Sequence, residues 1–154
     1  MSISPRLKHY LDDRKINYEL VHHRYSDTAF NSAKHAHIPV TCMVKGVVLK
    51  DSLGYMIAVT TADKALDLAT INQQTNRAFE LAPEDALDEI LVDCEKGSVP
   101  ALGSAFGLPI IWDDRLALQP SFYIEAGDHQ KLIRLNHFDF MELLDNDQHG
   151  IISH

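Results

Sequence analysis

Thr41-Cys42-Met43-Val44-Lys45-Gly46-Val47-Val48-Leu49-Lys50, then Asp51-Ser52-Leu53-Gly54, then Tyr55-Met56-Ile57-Ala58-Val59-Thr60 is the stretch that decides the fold. Two runs rich in β-branched and apolar residues flank a short turn carrying Asp, Ser and Gly, which predicts a β-hairpin at the centre of the molecule. Towards the N-terminus, Ser4-Pro5 predicts a helix start, with Ser at N-cap, Pro at N1 and an end near Asn17. Tyr18 to His22 alternates like a strand. Ser26 or Asp27 can cap a second helix carrying Ala29, Ala33 and Ala36, which Ile38-Pro39 stops.

Beyond the hairpin, Ala62 to Gln74 predicts a mostly helical segment, Ala78 to Leu81 a short strand and Pro83 to Ile90 a helix with two acids in its first turn. Leu91 to Cys94 resembles a strand leading into a Gly/Pro loop, Glu95 to Gly103. Leu108 to Trp112, Phe122 to Glu125 and Lys131 to Leu135 are three further strands, and Asn136 caps a helix over His137 to Leu144. The tail from Asp145 to His154 is polar and expected to fray. Strands interleaved with short helices predict a mixed α/β (α+β) domain: a curved, barrel-like mixed sheet surrounded by helices. Residues 1–154 read as one domain with its core over about 16–144. No G-x-G-x-x-G or P-loop supports a doubly wound nucleotide fold.

The chain has 154 residues, of which 45% are apolar, enough for one compact core. No apolar run approaches the roughly 20 residues that span a bilayer, and Met1 to Arg6 lacks a secretory core, so a cytoplasmic protein without a membrane partner is expected. The two cysteines, Cys42 and Cys94, form no C-x-x-C motif and read as small buried hydrophobes. A net charge of −8 argues against general nucleic-acid binding, which needs clustered Lys and Arg. A nucleic-acid substrate would require a local basic patch or a partner.

The loop Glu95-Lys96-Gly97-Ser98-Val99-Pro100-Ala101-Leu102-Gly103 can bring bare backbone to a ligand, because Gly lacks Cβ and Pro stiffens the chain. Read alone it is also an ordinary connection. Lys45 sits in an apolar strand, where an ammonium must reach solvent, an acid or a ligand. Gly46 beside it marks a bulge or a close approach by another group. His129, after Gly127-Asp128, can exchange hydrogen bonds with a polar substrate or merely stabilise a turn. His22, His23, His35 and His37 match no zinc spacing, so no metal or other cofactor is expected. Ser98, Ser104 and Cys94 lack a nucleophile signature, and Asp113, Asp114 and Asp128 read first as turn formers.

Val44-Lys45-Gly46-Val47-Val48-Leu49, Asp93 to Gly103, Leu108-Pro109-Ile110-Ile111-Trp112-Asp113 and Ala126-Gly127-Asp128-His129 occur in the order found in the YbaK/prolyl-tRNA-synthetase-associated domain family. The chain resembles that family from about Ile16 to Leu144. The resemblance implies an aminoacyl-tRNA deacylase that hydrolyses mischarged aminoacyl-tRNA in trans, on a curved mixed α/β domain. It implies Lys45 as the catalytic residue and Gly97, Ser98, Val99, Pro100, Gly103 and His129 as substrate-binding residues, with Glu95 a lesser match. A small amino acid such as alanine, cysteine, serine or proline, and delivery by a synthetase such as prolyl-tRNA synthetase, are further implications. Lys96, Ala101 and Gly46 depart from forms common in the family and leave the amino acid open. A non-catalytic amino-acid- or protein-binding regulatory module on the same fold is the alternative.

Overall fold

The computed structural model describes residues 3–95, 98–144 and 147–154. In chain order the elements are α1 (Pro5–Asp13), β1 (Glu19–His22), α2 (Ala29–His35), β2 (Val44–Asp51), β3 (Gly54–Thr61), α3 (Leu68–Thr75), β4 (Glu80–Leu81) and α4 (Glu84–Ile90). They continue with β5 (Ile110–Asp113), β6 (Ser121–Glu125), β7 (Lys131–Asn136), α5 (His137–Leu144) and β8 (Gln148–Gly150), with 3-10 turns at Gly103–Phe106 and Asp114–Leu118. This is the expected mixed α+β class.

The predicted hairpin forms, with β2 and β3 antiparallel from Val44 opposite Thr61 to Asp51 opposite Gly54. Asp51 closes the turn by accepting from the backbone N–H groups of Leu53 and Gly54 at 2.9 and 3.1 Å. The hairpin is the centre of a five-stranded sheet in the order β4-β2-β3-β5-β8. A second sheet has the order β1-β7-β6. The described residues therefore form two open sheets and no closed barrel, so the mixed α+β class is found and closure of the barrel-like sheet is not. The sheets meet at a single bridge between Met43 and Tyr123, and closure would need a continuous ladder there.

Both faces of the hairpin are covered. Ile57 and Val59 face the main core with Leu7, Leu11, Phe122, Ile124, Ile133 and Phe140, whereas Met56 and Ala58 face a second cluster with Ile71, Phe79, Ile111 and Ile152. Period-two alternation thus gives two buried faces rather than one. No helix is long and apolar enough to cross a membrane among the described residues.

Several boundaries differ from the sequence reading for identifiable reasons. α1 ends at Asp13 instead of near Asn17, because Lys15 takes a left-handed φ of 55° and the Ile16 N–H closes on the Leu11 carbonyl. The cap of α2 is Thr28, whose Oγ1 accepts from the Asn31 N–H at 3.1 Å, while the Ser26 hydroxyl pairs with His35 Nδ1 at 2.7 Å. Leu91 to Cys94 is a turn, not a strand, closed by the Cys94 N–H on the Leu91 carbonyl. α3 starts at Leu68 because Ala65 pairs by backbone with His154 instead of joining the helix. Residues 147–154 accordingly do not fray: β8 adds in parallel to β5, and Ile152 and Ser153 are buried. Asp145 and Asn146, expected in the same tail, lie outside the described residues.

Candidate functional site

β2 carries Lys45 opposite Thr60, and half-buries its stem. The Lys45 ammonium donates to the Lys64 carbonyl in the turn after β3. Burial lowers its pKa from the ordinary lysine range, and the negative charge of Asp63 pulls the other way. The side chain lines a cleft of about 160 Å³. Asp27, Thr28 and Ala29 at the start of α2 form one side, Lys45 and Gly46 another, and Val99 and Glu125 complete it.

Gly46 is where the loop approaches β2. A Cβ there would lie 3.1 Å from Ile57 Cγ2, 3.3 Å from Val99 Cγ1 and 3.5 Å from Ala101 Cα, so the missing side chain lets the 98–101 segment lie against the strand. Gly46→Val is expected to cost about 1–3 kcal/mol through overpacking and to push Val99 across the cleft. A urea unfolding midpoint equal to that of the parent protein would show that the contact has slack.

The loop is tied down at both sides of its described part. Glu95 N–H donates to the Gly127 carbonyl at 2.7 Å, and Ser98 N–H donates to the Glu95 carbonyl at 2.9 Å. Ser98 Oγ donates to Glu125 Oε2 at 3.4 Å and is buried with Pro100. Gly103 sits apart from the cleft, opening a 3-10 turn where a Cβ would come within 2.6 Å of Ile110 Cγ2 and 2.9 Å of the Leu108 carbonyl. Gly97 and Lys96 lie outside the described residues. His129 is 2% exposed with a left-handed φ of 61°; its ring tilts against Tyr25 at 5.2 Å and its carbonyl accepts from Ser26 N–H. It does not line the cleft, but its electrostatic interaction with Glu125 pulls the pKa of that carboxyl down. Among the sequence-predicted residues, the structure thus brings Lys45 and Val99 to the cleft wall, with Ser98 and His129 acting on it through Glu125.

Glu125 is the residue that sequence reasoning missed. It ends β6 as a lone acid after Phe122-Tyr123-Ile124, a position that ordinarily reads as a strand terminus. Here it is 5% exposed, and Ser32 Oγ from α2 donates to Oε1 at 3.0 Å. Burial pushes its pKa up to about 7 against the pull of Ser32, His129 and Ser98, with Asp128 adding to the rise. A raised acid binds more protons folded than unfolded between about pH 4.5 and 7, so its contribution to stability falls as pH rises through that window. Relative to Glu125→Gln, the parent protein is expected to lose up to about 3 kcal/mol between pH 4 and pH 8. Urea melts of both proteins at each pH check this; parallel curves would refute it.

Among the described residues no three His, Cys, Asp or Glu side chains converge as metal ligands. A wider cleft of about 460 Å³, between α1 and α5 with Tyr10, Arg14 and Glu142 on its walls, holds neither Lys45 nor Glu125.

A strand lysine, a loop that the glycine of that strand allows to approach, and a buried acid thus share the wall of one small cleft. The family model of the aminoacyl-tRNA editing domain matches residues 23–143, and the chain belongs to that family. A solved structure described as a candidate trans-editing enzyme for prolyl tRNA synthetase superposes with a TM-score of 0.84 at 20% identity, covering 98% of this chain and 96% of that one. A hypothetical protein superposes at 0.83 and 17% identity, covering 97% and 99%. A candidate signal transduction protein from Marinobacter aquaeolei VT8 superposes at 0.76 and 18% identity, covering 96% of this chain and 30% of that one. At these identities the likeness is one of fold. A search of curated protein sequences finds no match.

Proposed function

We propose that the protein is an aminoacyl-tRNA deacylase acting in trans on mischarged tRNA, with Lys45 as its catalytic residue and the 97–103 loop as one wall of the aminoacyl pocket. The observation that carries this reading is the placement of Lys45 beside the loop in a chain of the editing-domain family. Hydrolysis adds the oxygen of a water molecule to the ester carbonyl carbon, the water giving up a proton as it attacks and the neighbouring ribose hydroxyl at most orienting it. The C–O bond to the ribose then breaks, and the ribose oxygen takes up a proton. Negative charge develops on the carbonyl oxygen, and the Lys45 ammonium is the preorganised cation that meets it. No protein nucleophile is needed, because the ester is already activated.

The cleft is small, so Val99 and Gly46 exclude bulky side chains, in keeping with a small amino acid. The acidic chain binds tRNA weakly by itself, and a synthetase such as prolyl-tRNA synthetase delivers the substrate in the cytoplasm. The test is release of amino acid from a panel of mischarged tRNAs carrying alanine, cysteine, serine and proline. Turnover of at least one is expected. Binding of aminoacyl analogues with no turnover of any panel member would replace this reading with a non-catalytic binding module.

A further inference from the structure

Opposite charges face the same cleft. Lys45 supplies a cation on β2, and Glu125 supplies an acid at the end of β6. Glu125 is held from two sides: Ser32 of α2 donates to one carboxyl oxygen at 3.0 Å, and Ser98 of the loop donates to the other at 3.4 Å. A carboxylate has about four acceptor sites, so these two hydroxyls fix its orientation and leave capacity for another donor. Among the described residues, no lysine or arginine forms an ion pair with it. Apart from the pull of His129, this buried carboxylate has no cation beside it among the described residues, which is costly, and a ligand that brings its own cation offsets that cost.

We propose that the Glu125 carboxylate receives the α-ammonium of the aminoacyl group, so that the cleft accepts aminoacyl esters with a free α-amine and rejects N-acylated ones. The inference rests on the editing reading for the identity of the ligand. An aminoacyl ester carries a polarised carbonyl and a cationic nitrogen on adjacent carbons, matching a cleft with a cation on one strand and an acid on another. N-acylation removes the positive charge and adds bulk beside Ala29 and Val99. Ser32 and Ser98 are positioning residues that act through Glu125. A free-amine ligand thereby senses the loop, since Ser98 belongs to it.

The probes are stable amide analogues of 3′-aminoacyl adenosine bearing alanine, serine, cysteine or proline, each with a free or an N-acetylated amine, titrated calorimetrically into the intact protein. The free-amine form of at least one analogue is expected to bind roughly 10- to 100-fold more tightly than its N-acetyl form, the range for a hydrogen bond to a charged group. In Glu125→Gln this preference is expected to collapse to within about twofold, by loss of affinity for the free amine alone. The ratio is the decisive readout, because a purely structural defect lowers both affinities together. Equal binding of the two forms by the parent protein, binding of neither, or a preference that survives Glu125→Gln overturns the proposal. The mischarged-tRNA panel is read separately: discrimination without turnover sinks the deacylase reading and leaves the ammonium receptor standing, whereas turnover without discrimination does the reverse.

Discussion

Lys45→Ala is expected to slow amino-acid release from the best mischarged tRNA of the panel roughly 100- to 1,000-fold, the scale for removing one preorganised donor at a developing oxyanion. The reason lies in how the ammonium is held. Its stem is half-buried in β2, and its head is fixed on the Lys64 carbonyl, so little reorganisation is needed when charge develops on the substrate. Lys45→Met keeps the stem and should be as slow as alanine. Lys45→Arg keeps the charge but spreads it over a planar fork, and should recover only part of the rate. Burial lowers the Lys45 pKa, so the advantage over alanine is present while the ammonium is protonated and is lost as pH rises through that lowered value. Asp63 opposes the lowering, and Asp63→Asn should move the loss to lower pH. The ratio of parent to alanine rates is the proper measure, because background ester hydrolysis by hydroxide also rises with pH. An alanine variant within about threefold of the parent would remove Lys45 from the chemistry.

The hairpin was legible because its signals are local: apolar strand formers on both sides of Asp51 to Gly54, and a turn that the Asp51 side chain itself closes. Gly46 was legible for a related reason, since a glycine inside a strand announces that something comes close, and Val99 and Ala101 do. Glu125 was not. Its burial is created by Ser32, 93 positions earlier, and by Ser98 in the loop, and no spacing rule links those three residues. The tail failed in the same way. Gln148 to His154 looks polar along the chain, yet Ile152 fills the second core and the flanking polar groups find partners on strands distant in sequence. Whether a curved, barrel-like sheet closes is not legible from the number of strands, because order and pairing depend on contacts that strand counts do not encode.

Asp113 at the end of β5 is the centre of that C-terminal anchorage, and Asp113→Ala is expected to cost about 3–5 kcal/mol, the range for removing one partner of a buried ion pair. Its carboxylate is 1% exposed and receives five hydrogen bonds: three from Arg115, through the backbone N–H, Nε and Nη2, each at 2.9 Å, one from the Ile152 N–H at 3.0 Å and one from Ser153 Oγ at 2.8 Å. Burial alone would raise its pKa; Arg115, Ser153 and Ile152 outweigh it and hold the carboxyl well below the usual range. The stabilisation is therefore present above the unfolded carboxyl pKa of about 4 and is lost as pH falls through the lower folded value. The thermal midpoint should drop by about 6–20 °C at neutral pH for a chain of this size. Removing both charges together, in Asp113→Leu with Arg115→Met, should recover part of the loss, because no unpaired ion is then left behind. The anchorage also reaches the cleft. Ser153 Oγ pairs with Thr60 Oγ1 at 2.7 Å, Thr60 stands opposite Lys45, and the two backbone hydrogen bonds between His154 and Ala65 hold the turn whose Lys64 carbonyl receives the ammonium. Loosening the tail should thus lower kcat at temperatures where the variant is still folded, and this loss should vanish in the Lys45→Ala background, as expected for two residues acting through one contact. Equal proportional losses in the two backgrounds would mean that the tail stabilises the fold without placing the lysine.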